Sequence, residues 1–276
     1  MIWQTSRYRI DLARVRIMGV VNMTPDSFFD GGHHVGPSAA IAHCEKLLSD
    51  GADILDIGGE SSRPGARQVG VEEELERIAP VLEAALSMGC PVSVDTTKPE
   101  VMCTVLQMGA DIVNDINALR APGALDAVAE HAACGVVLMH MRGEPQTMQN
   151  DVRYTDVVLE VRDFLQTRAD ALLKRGVAAD RIALDPGIGF GKSVENNVEL
   201  LSRQRELAEV GFPLLVGWSR KSTLGALTGR PVADRQCSSV AAALASVQNG
   251  ARVIRVHDVA AAADALTVWR AAGLCR

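Results

Sequence analysis

The chain has 276 residues and a formal net charge of −6, a length that suits a single domain over residues 1–276. A mildly acidic chain is a poor match for nucleic acid or an anionic membrane as its main partner, but local cations could still hold a small anionic substrate. Hydrophobic residues make up 47% of the sequence and aromatic residues only 4%. The core must therefore consist mainly of aliphatic side chains.

The six cysteines include no C-x-x-C pair, which argues against a zinc site or a disulfide framework. Most lie in or beside apolar stretches, so we expect buried thiols and a reducing compartment. The start of the chain lacks the basic-then-apolar layout of a signal peptide. Because no apolar run approaches the roughly 20 residues of a membrane span, the sequence predicts a cytoplasmic protein.

Residues 1–15 alternate loosely and are expected to form a strand or hairpin that closes the bottom of the fold. After them, short apolar runs that end in polar residues or glycine recur eight times. The runs are 16–22, 52–60, 91–96, 111–116, 135–140, 181–187, 213–219 and 251–257. Continuous apolarity of this kind is typical of parallel strands buried on both faces.

Most segments between the runs have helical periodicity. It extends over 37–50, 71–88, 155–175 and 258–272, and Pro99 and Pro122 stand where further helices could begin. Strand followed by helix, repeated eight times, predicts an α/β fold: a (β/α)₈ TIM barrel with an N-terminal strand or hairpin. An open doubly wound sheet is the alternative, but the first turn lacks its glycine-rich motif.

Active sites of such barrels form at the C-terminal ends of the strands. Long, glycine-containing connections at 22–36, 58–70 and 140–151 follow the first, second and fifth runs, and we expect them to cover substrate. Polar side chains also interrupt or close the runs. They are Asn22, Asp56, Asp95, Asn114, Asp115 and Asp185.

A buried carboxylate costs several kcal/mol unless it is paired. A lone aspartate is often structural, whereas several at one mouth form a polar pocket. Carboxylates and amides together match a ligand with amide-like nitrogens, such as a pterin or a purine.

Basic side chains follow other strand ends. Arg63 follows the second run, Arg220 and Lys221 follow the seventh, and Arg255 and His257 close the eighth. Arginine suits bidentate phosphate contacts, and the helix predicted to begin near Lys221 favours an anion at its N-terminus. We therefore expect a phosphate or diphosphate site. A surface ion pair is the alternative for any single arginine, but Arg255 interrupts an apolar strand and fits it least.

Several motifs look functional but favour simpler interpretations. Segment 187–193 resembles a phosphate-binding P-loop, but Pro186 stands where the Walker pattern needs glycine. His33 and His34 have no diagnostic metal-binding spacing and are expected in a solvated loop. His140 is expected to be a pocket wall or a satisfied core histidine rather than a base.

Eight segments in chain order resemble motifs of the dihydropteroate synthase family, and they cover nearly the whole chain. They are N-M-T-P-D-S-F (22–28), G-G-E-S-S-R-P-G-A (58–66), V-D-T-T-K-P (94–99), N-D-I (114–116), L-M-H-M (138–141), D-P-G-I-G-F-G-K (185–192), S-R-K-S (219–222) and R-V-H-D-V (255–259). The resemblance implies a folate-pathway transferase of an alkyl group. In that reaction 4-aminobenzoate displaces diphosphate from (7,8-dihydropterin-6-yl)methyl diphosphate to give 7,8-dihydropteroate.

The resemblance also implies residue roles and partners. Asn22 is implied to contact Mg²⁺. The residues implied to hold the pterin are Asp95, Asn114, Asp185 and Lys221. Those implied to hold the diphosphate are Ser62, Arg63, Arg255 and His257. Those implied to border 4-aminobenzoate, where sulfonamide inhibitors compete, are Phe28, Ser62, Phe190 and Ser222. The family is usually homodimeric, and the Ala-rich segments at 239–245 and 260–272 are candidate interfaces.

Asp95, Lys221 and Arg255 are the expected catalytic residues. Loss of diphosphate leaves a delocalised cation, which a carboxylate at Asp95 would stabilise. The chain departs from the family at Ser62, where threonine is usual; one lost methyl could change packing by about 1 kcal/mol. A pterin-dependent corrinoid methyltransferase and an inactive pterin-binding paralogue are the alternatives. The complete diphosphate set argues against the first, and the intact strand ends argue against the second.

Overall fold

The computed structural model describes residues 1–23, 29–30, 33–34, 36–63, 65–149 and 152–275. The strands in this part of the chain are β1 (Ile2–Gln4), β2 (Arg9–Asp11), β3 (Arg16–Asn22), β4 (Phe29–Asp30), β5 (His33–His34), β6 (Ile54–Gly58), β7 (Val92–Asp95), β8 (Ile112–Asp115), β9 (Gly135–Met139), β10 (Ile182–Asp185), β11 (Leu214–Val216) and β12 (Ala251–Val256). Strand β3 and strands β6 to β12 pair in parallel into a closed barrel, which β12 completes by pairing with β3. The predicted (β/α)₈ barrel is therefore confirmed, with one strand in each apolar run.

The helices in the described ranges are α1 (Pro37–Ser49), α2 (Val71–Leu86), α3 (Pro99–Met108), α4 (Ala124–Ala129), α5 (Val157–Lys174), α6 (Val194–Ser202), α7 (Arg205–Ala208), α8 (Ser222–Thr228), α9 (Gln236–Gln248) and α10 (Val259–Ala271). Local signals determine several starts. Pro99 begins α3 as expected. The Asp156 side chain accepts from two backbone N–H groups at the start of α5, and Ser193 and Asn196 form a capping box at α6.

The N-terminal hairpin closes the bottom of the barrel, as predicted. Strands β1 and β2 are antiparallel, with Trp3 opposite Ile10. Trp3 is fully buried, and its indole Nε1 donates to the carbonyl oxygen of Arg181 at 3.0 Å. It packs with inward-facing side chains of seven barrel strands, which are Met18, Ile54, Ile112, Val137, Ala183, Leu215 and Val253. The barrel interior is therefore a packed core below the mouth.

The cysteine prediction is partly wrong. All six thiols are free, and Cys44, Cys90 and Cys134 are buried, but Cys103 and Cys237 are exposed. Sequence neighbours that are apolar do not decide which face of a helix a side chain takes. Among the described residues, no helix is long and apolar enough to cross a membrane.

Candidate active site

Two aspartates and one arginine meet at the C-terminal mouth of the barrel. Arg255 of β12 places Nε 2.6 Å from Oδ2 of Asp56 and Nη2 2.9 Å from Oδ2 of Asp95. Asp56 is fully buried in β6 and also accepts from the Asn114 amide at 3.2 and 3.3 Å. Side chains of strands alternate between faces, and Asp95 lies opposite Asn114 in the β7–β8 register. These residues therefore face the same interior space.

Burial and ion pairing have opposing effects on this cluster. Burial raises the pKa of Asp95 to about 7, because it disfavours the carboxylate more than Arg255 favours it, and Asp56 adds like charge. For Arg255, burial opposes the charge, but Asp56 and Asp95 outweigh it and raise the pKa. The arginine is therefore always charged, whereas Asp95 is close to titration at neutral pH.

Asp185 and Lys221 form a second polar group, at the end of β10 and after β11, the strands that precede β12 in the barrel order. Asp185, at the end of β10, is buried and accepts from the backbone N–H of Gly187 at 2.7 Å. Burial raises its pKa. Lys221, at the start of α8, has Nζ 4.1 Å from the centre of the Phe190 ring. Burial lowers the pKa of Lys221 to about 8, although Asp185 favours its charge. Lys221 is thus a cation that can be lost within the range of enzyme assays.

His257 is held by a serine at the end of the barrel. Its Nδ1 lies 3.0 Å from Oγ of Ser219, and its backbone N–H donates to the same oxygen at 3.1 Å. Burial, with the positive charge of Arg255, lowers the pKa of His257 to about 3. His257 is therefore uncharged at neutral pH in the free protein. The neutral imidazole has one ring nitrogen that donates and one that accepts.

Asp115 does not join the pocket. Its carboxylate accepts from the backbone N–H groups of Asn117 at 2.7 Å and Leu119 at 2.6 Å. Ala118 and Leu119 have φ angles of 51° and 56°, so the carboxylate stabilises an unusual turn. Asp115 follows Asn114 directly, so its side chain points to the opposite face of β8. Its expected place among the pocket carboxylates is wrong.

Arg220 has a structural role. It forms a two-pronged pair with Asp258, with N–O distances of 2.6 and 3.2 Å. Its φ is 61°, in the left-handed region, and its backbone N–H donates to Oγ of Ser239. Arg220 therefore shapes the turn that delivers Lys221 to the mouth.

A cavity of about 510 Å³ opens beside Asp95. Residues from the second loop, the ends of β7 and β8, and the segment after β9 line it. They include Glu60, Ser62, Thr96, Ile116, Arg120 and Gln146. The cavity brings Ser62 and Asp95 to one surface, although 33 residues separate them in sequence.

Comparison with known proteins gives a consistent family. The pterin binding enzyme family matches residues 18–257. A dihydropteroate synthase of Neisseria meningitidis is 51% identical over 99% of this chain and 98% of its own. The chain belongs to the dihydropteroate synthase family.

Solved dihydropteroate synthases share the fold. The enzyme of Xanthomonas albilineans, solved with 4-aminobenzoic acid, has a TM-score of 0.93 at 50% identity, covering 99% of each chain. That of Burkholderia cenocepacia, complexed with 7,8-dihydropteroate, has a TM-score of 0.91 at 47% identity, covering 99% of this chain and 96% of the other.

The family-implied site residues have different surroundings. Asp95, Asn114, Asp185, Lys221 and Arg255 are buried or half-buried at strand ends or just after them. Ser62 and Asn22 are half-buried, whereas Arg63 and Ser222 are exposed. Phe28 lies outside the described residues, as do the side chains of His33 and His34.

Sequence reasoning missed the lysine that connects two loops at this mouth. Lys98, just after Asp95 in V-D-T-T-K-P, donates to Glu74 at 2.6 Å and also to Glu60 of the second loop. Glu74 is fully buried, and its Oε1 has no partner among the described residues. The helical pattern 71–88 rests on its apolar residues, and nothing in it assigns a role to Glu74. A buried position in that pattern was the available signal.

Proposed function

We propose that this protein is a dihydropteroate synthase that forms 7,8-dihydropteroate and diphosphate from (7,8-dihydropterin-6-yl)methyl diphosphate and 4-aminobenzoate. The observation that carries this proposal is the convergence of Asp95, Asn114, Asp185 and Arg255 at one mouth, in a chain 50% identical to an enzyme solved with 4-aminobenzoic acid. We further propose that residues 1–276 form one pterin-binding domain.

The proposed pterin site matches donors with acceptors. The pterin ring presents N–H groups and carbonyl-type acceptors. Asp185 can accept from the N–H groups, and Asn114 can both donate and accept. Lys221 can donate to a ring acceptor while its charge rests against Phe190. Asp56 keeps Asn114 and Arg255 in place rather than contacting substrate.

In the proposed reaction the bond between the pterin methylene carbon and the diphosphate oxygen breaks first, and diphosphate leaves with the electron pair. Asp95, as a carboxylate, would stabilise the positive charge that spreads over the reduced pterin. The amine of 4-aminobenzoate then forms the new C–N bond and releases a proton to solvent. A weak aromatic nucleophile gains most from being positioned against a preformed electrophile, so no protein nucleophile is required.

Arg255 and His257 are the proposed contacts of the leaving diphosphate, with Ser62 and Arg63 from the second loop. Arg255 uses two of its five N–H groups on Asp56 and Asp95, which leaves others for phosphate oxygens. His257 would donate from Nε2 as a neutral imidazole.

The donor set near Asn22 is compatible with Mg²⁺ held mainly by substrate. Magnesium commonly takes one or two protein oxygens and completes its shell with water and substrate phosphates. Asn22 supplies one amide oxygen at the end of β3, where it lies opposite Gly58 of β6. The described residues contain no group of three His, Cys, Asp or Glu side chains that could hold a metal by themselves. We therefore propose Asn22 as the protein ligand; the ion would neutralise charge on the leaving diphosphate.

We propose that Ser62, Phe190 and Ser222 border the 4-aminobenzoate pocket; Phe28, which the family resemblance also implies there, lies outside the described residues. Phe190 is buried and packs with Ile116 and three methionines, so it offers a firm apolar wall. Sulfonamides are expected to compete here. Serine in place of threonine at position 62 keeps the hydroxyl group and removes one methyl contact.

We also propose a cytoplasmic homodimer. The six free thiols fit a reducing compartment. Val268 of α10 is 68% exposed and Leu274 is 51% exposed, which gives the C-terminal region apolar surface suited to burial in a dimer. Light scattering after size-exclusion chromatography tests this assembly, and a monomer at assay concentrations would contradict it.

Diphosphate release tests the function directly. The purified protein with Mg²⁺, the pterin diphosphate and 4-aminobenzoate should release one diphosphate for each 7,8-dihydropteroate formed. Omitting 4-aminobenzoate is the control for simple hydrolysis. A corrinoid methyltransferase would instead need a methylated pterin donor and a corrinoid protein, and an inactive paralogue would bind pterin without turnover. Either result would overturn the proposal.

A further inference from the structure

The loop of residues 187–191 follows β10 and contains three glycines in the left-handed region. The φ angles are 67° at Gly187, 83° at Gly189 and 64° at Gly191. A Cβ at Gly187 would lie 1.9 Å from the carbonyl oxygen of His140, so the loop lies directly against the end of β9. A glycine-rich loop has many accessible conformations. Contacts from outside must therefore select this one.

Lys192 supplies the central contacts of this loop. Its side chain is buried, and Nζ donates to the carbonyl oxygens of Gly187 at 2.9 Å and Phe190 at 3.0 Å. The same Nζ lies 2.8 Å from Nδ1 of His140. Lys192, the lysine of the P-loop-like segment 187–193, therefore binds the backbone of its own loop. It also gives His140 a partner, and burial lowers the pKa of His140 to about 2, which keeps it neutral.

Packing alone does not account for a lysine at this position. No salt bridge in the described ranges includes Lys192, and its hydrogen-bond acceptors there are neutral. Burial lowers its pKa well below the ordinary value. An apolar side chain of similar volume often replaces a buried ionisable group without loss of stability. The four contacts of Nζ therefore point to a requirement for loop geometry.

The loop contacts the proposed active site through Lys221. The centre of the Phe190 ring lies 4.1 Å from Nζ of Lys221. A Cβ at Gly189 would lie 3.3 Å from Cδ of the same lysine. Asn197 accepts from the backbone N–H of Gly189 at 2.8 Å and donates to Oγ1 of Thr223 at 3.0 Å. Loop and helix start are thus joined at three points, and a shift of the loop would move the wall beside Lys221.

We propose that Lys192 is a positioning residue for the transfer reaction. It holds the 187–191 loop so that the Phe190 ring contacts Lys221 and borders the bound 4-aminobenzoate. Lys192 contacts no substrate itself and acts through Phe190. The inference rests on the proposed function, because it assigns that wall to the aminobenzoate pocket.

A double-mutant cycle tests whether Lys192 acts through Phe190. Lys192→Met is expected to raise the KM for 4-aminobenzoate at least fivefold and to change kcat less. Lys174→Met, at the exposed end of α5, is the matched control and should keep the wild-type KM. Phe190→Leu should also raise KM, and the double variant should resemble Phe190→Leu alone. A KM within twofold of wild type in Lys192→Met, or effects that multiply in the double variant, would overturn the proposal.

Tyr154→Phe provides a test that leaves Lys192 in place, in case Lys192→Met does not fold. The Tyr154 hydroxyl donates to the carbonyl oxygen of Gly191 at 2.8 Å. Its loss should raise the same KM two- to fivefold, again without adding to Phe190→Leu; an unchanged KM would overturn the proposal. Wild-type turnover is measured first. An inactive wild type refutes the proposed function, whereas an active wild type with unaffected variants refutes only the positioning role.

Discussion

Replacing Asp95 with asparagine is expected to make the free protein more stable and the enzyme much slower. Burial raises the pKa of Asp95 to about 7 even though Arg255 pairs with it. The same group in an unfolded chain ionises near pH 4. Between these values the folded protein retains a proton that the unfolded chain has lost, so the free energy of unfolding falls as pH rises from about 4 to 7.

The size of the effect follows from the two pKa values. Because the folded value is higher than the unfolded one, ionisation of Asp95 costs the fold on the order of a few kcal/mol at pH 8. Its side chain is only 18% exposed, which limits screening by solvent. Asparagine has nearly the same shape and never ionises. Arg255 loses one partner but keeps Asp56, so we expect a net gain of about 1–3 kcal/mol.

Urea denaturation at pH 4.5, 6 and 8 measures the gain. It should be largest at pH 8 and nearly vanish at pH 4.5, where Asp95 is protonated. In the diphosphate-release assay, kcat should fall by about 10²–10³, the usual cost of removing one transition-state contact, with a smaller change in the KM for the pterin diphosphate. The control is Asp111→Asn, which alters a fully buried carboxylate at the opposite end of β8 from the mouth and should leave kcat close to wild type.

Three results would refute this reasoning. One is a free energy of unfolding for Asp95→Asn at pH 8 that equals or falls below that of wild type. Another is a stability gain that persists undiminished at pH 4.5. The third is an equal loss of kcat in Asp111→Asn, which would mean that any buried carboxylate of the barrel has the same effect.

Three further outcomes are expected. kcat/KM for the pterin diphosphate should fall as pH rises through about 8, where Lys221 loses its charge. Lys221→Arg should move this fall above about pH 9, because arginine stays charged. An unmoved pH–rate profile would contradict this. His257→Ala should raise the KM for the pterin diphosphate about tenfold, the value of one hydrogen bond. This factor should stay constant around pH 6.5, because His257 is neutral there. Trp3→Ala should lower the free energy of unfolding by about 3–5 kcal/mol in urea and leave kcat unchanged, since Trp3 lies at the opposite end of the barrel.

The sequence predicted the barrel because each strand is a local feature. Run 52–60 contains β6, and run 181–187 contains β10, with ends that differ by a few residues. Parallel strands buried on both faces need continuous apolar residues, and that requirement is visible without tertiary structure. Resemblance to a known family then supplied the substrate, which the barrel pattern alone does not identify.

Asp95 and Asp115 show where sequence reasoning ended. Each closes an apolar run, so the two look equivalent in the chain. The β7–β8 register places Asp95 opposite Asn114, and Asp115 is one residue further along β8. Because successive side chains of a strand point to opposite faces, one aspartate faces the mouth and the other stabilises a turn. Register is a relation between strands, and a single sequence does not contain it.

The sequence by itself determined the order of strands and helices, the polar strand ends and the family. Tertiary structure decided which of those ends meet and in what charge state. Arg255 and Asp56 are 199 residues apart yet joined at 2.6 Å, and Lys192 turns out to support its own loop rather than a phosphate. The reason is physical: periodicity and turn chemistry act over a few residues, whereas burial and ion pairing depend on side chains brought together by closure of the barrel.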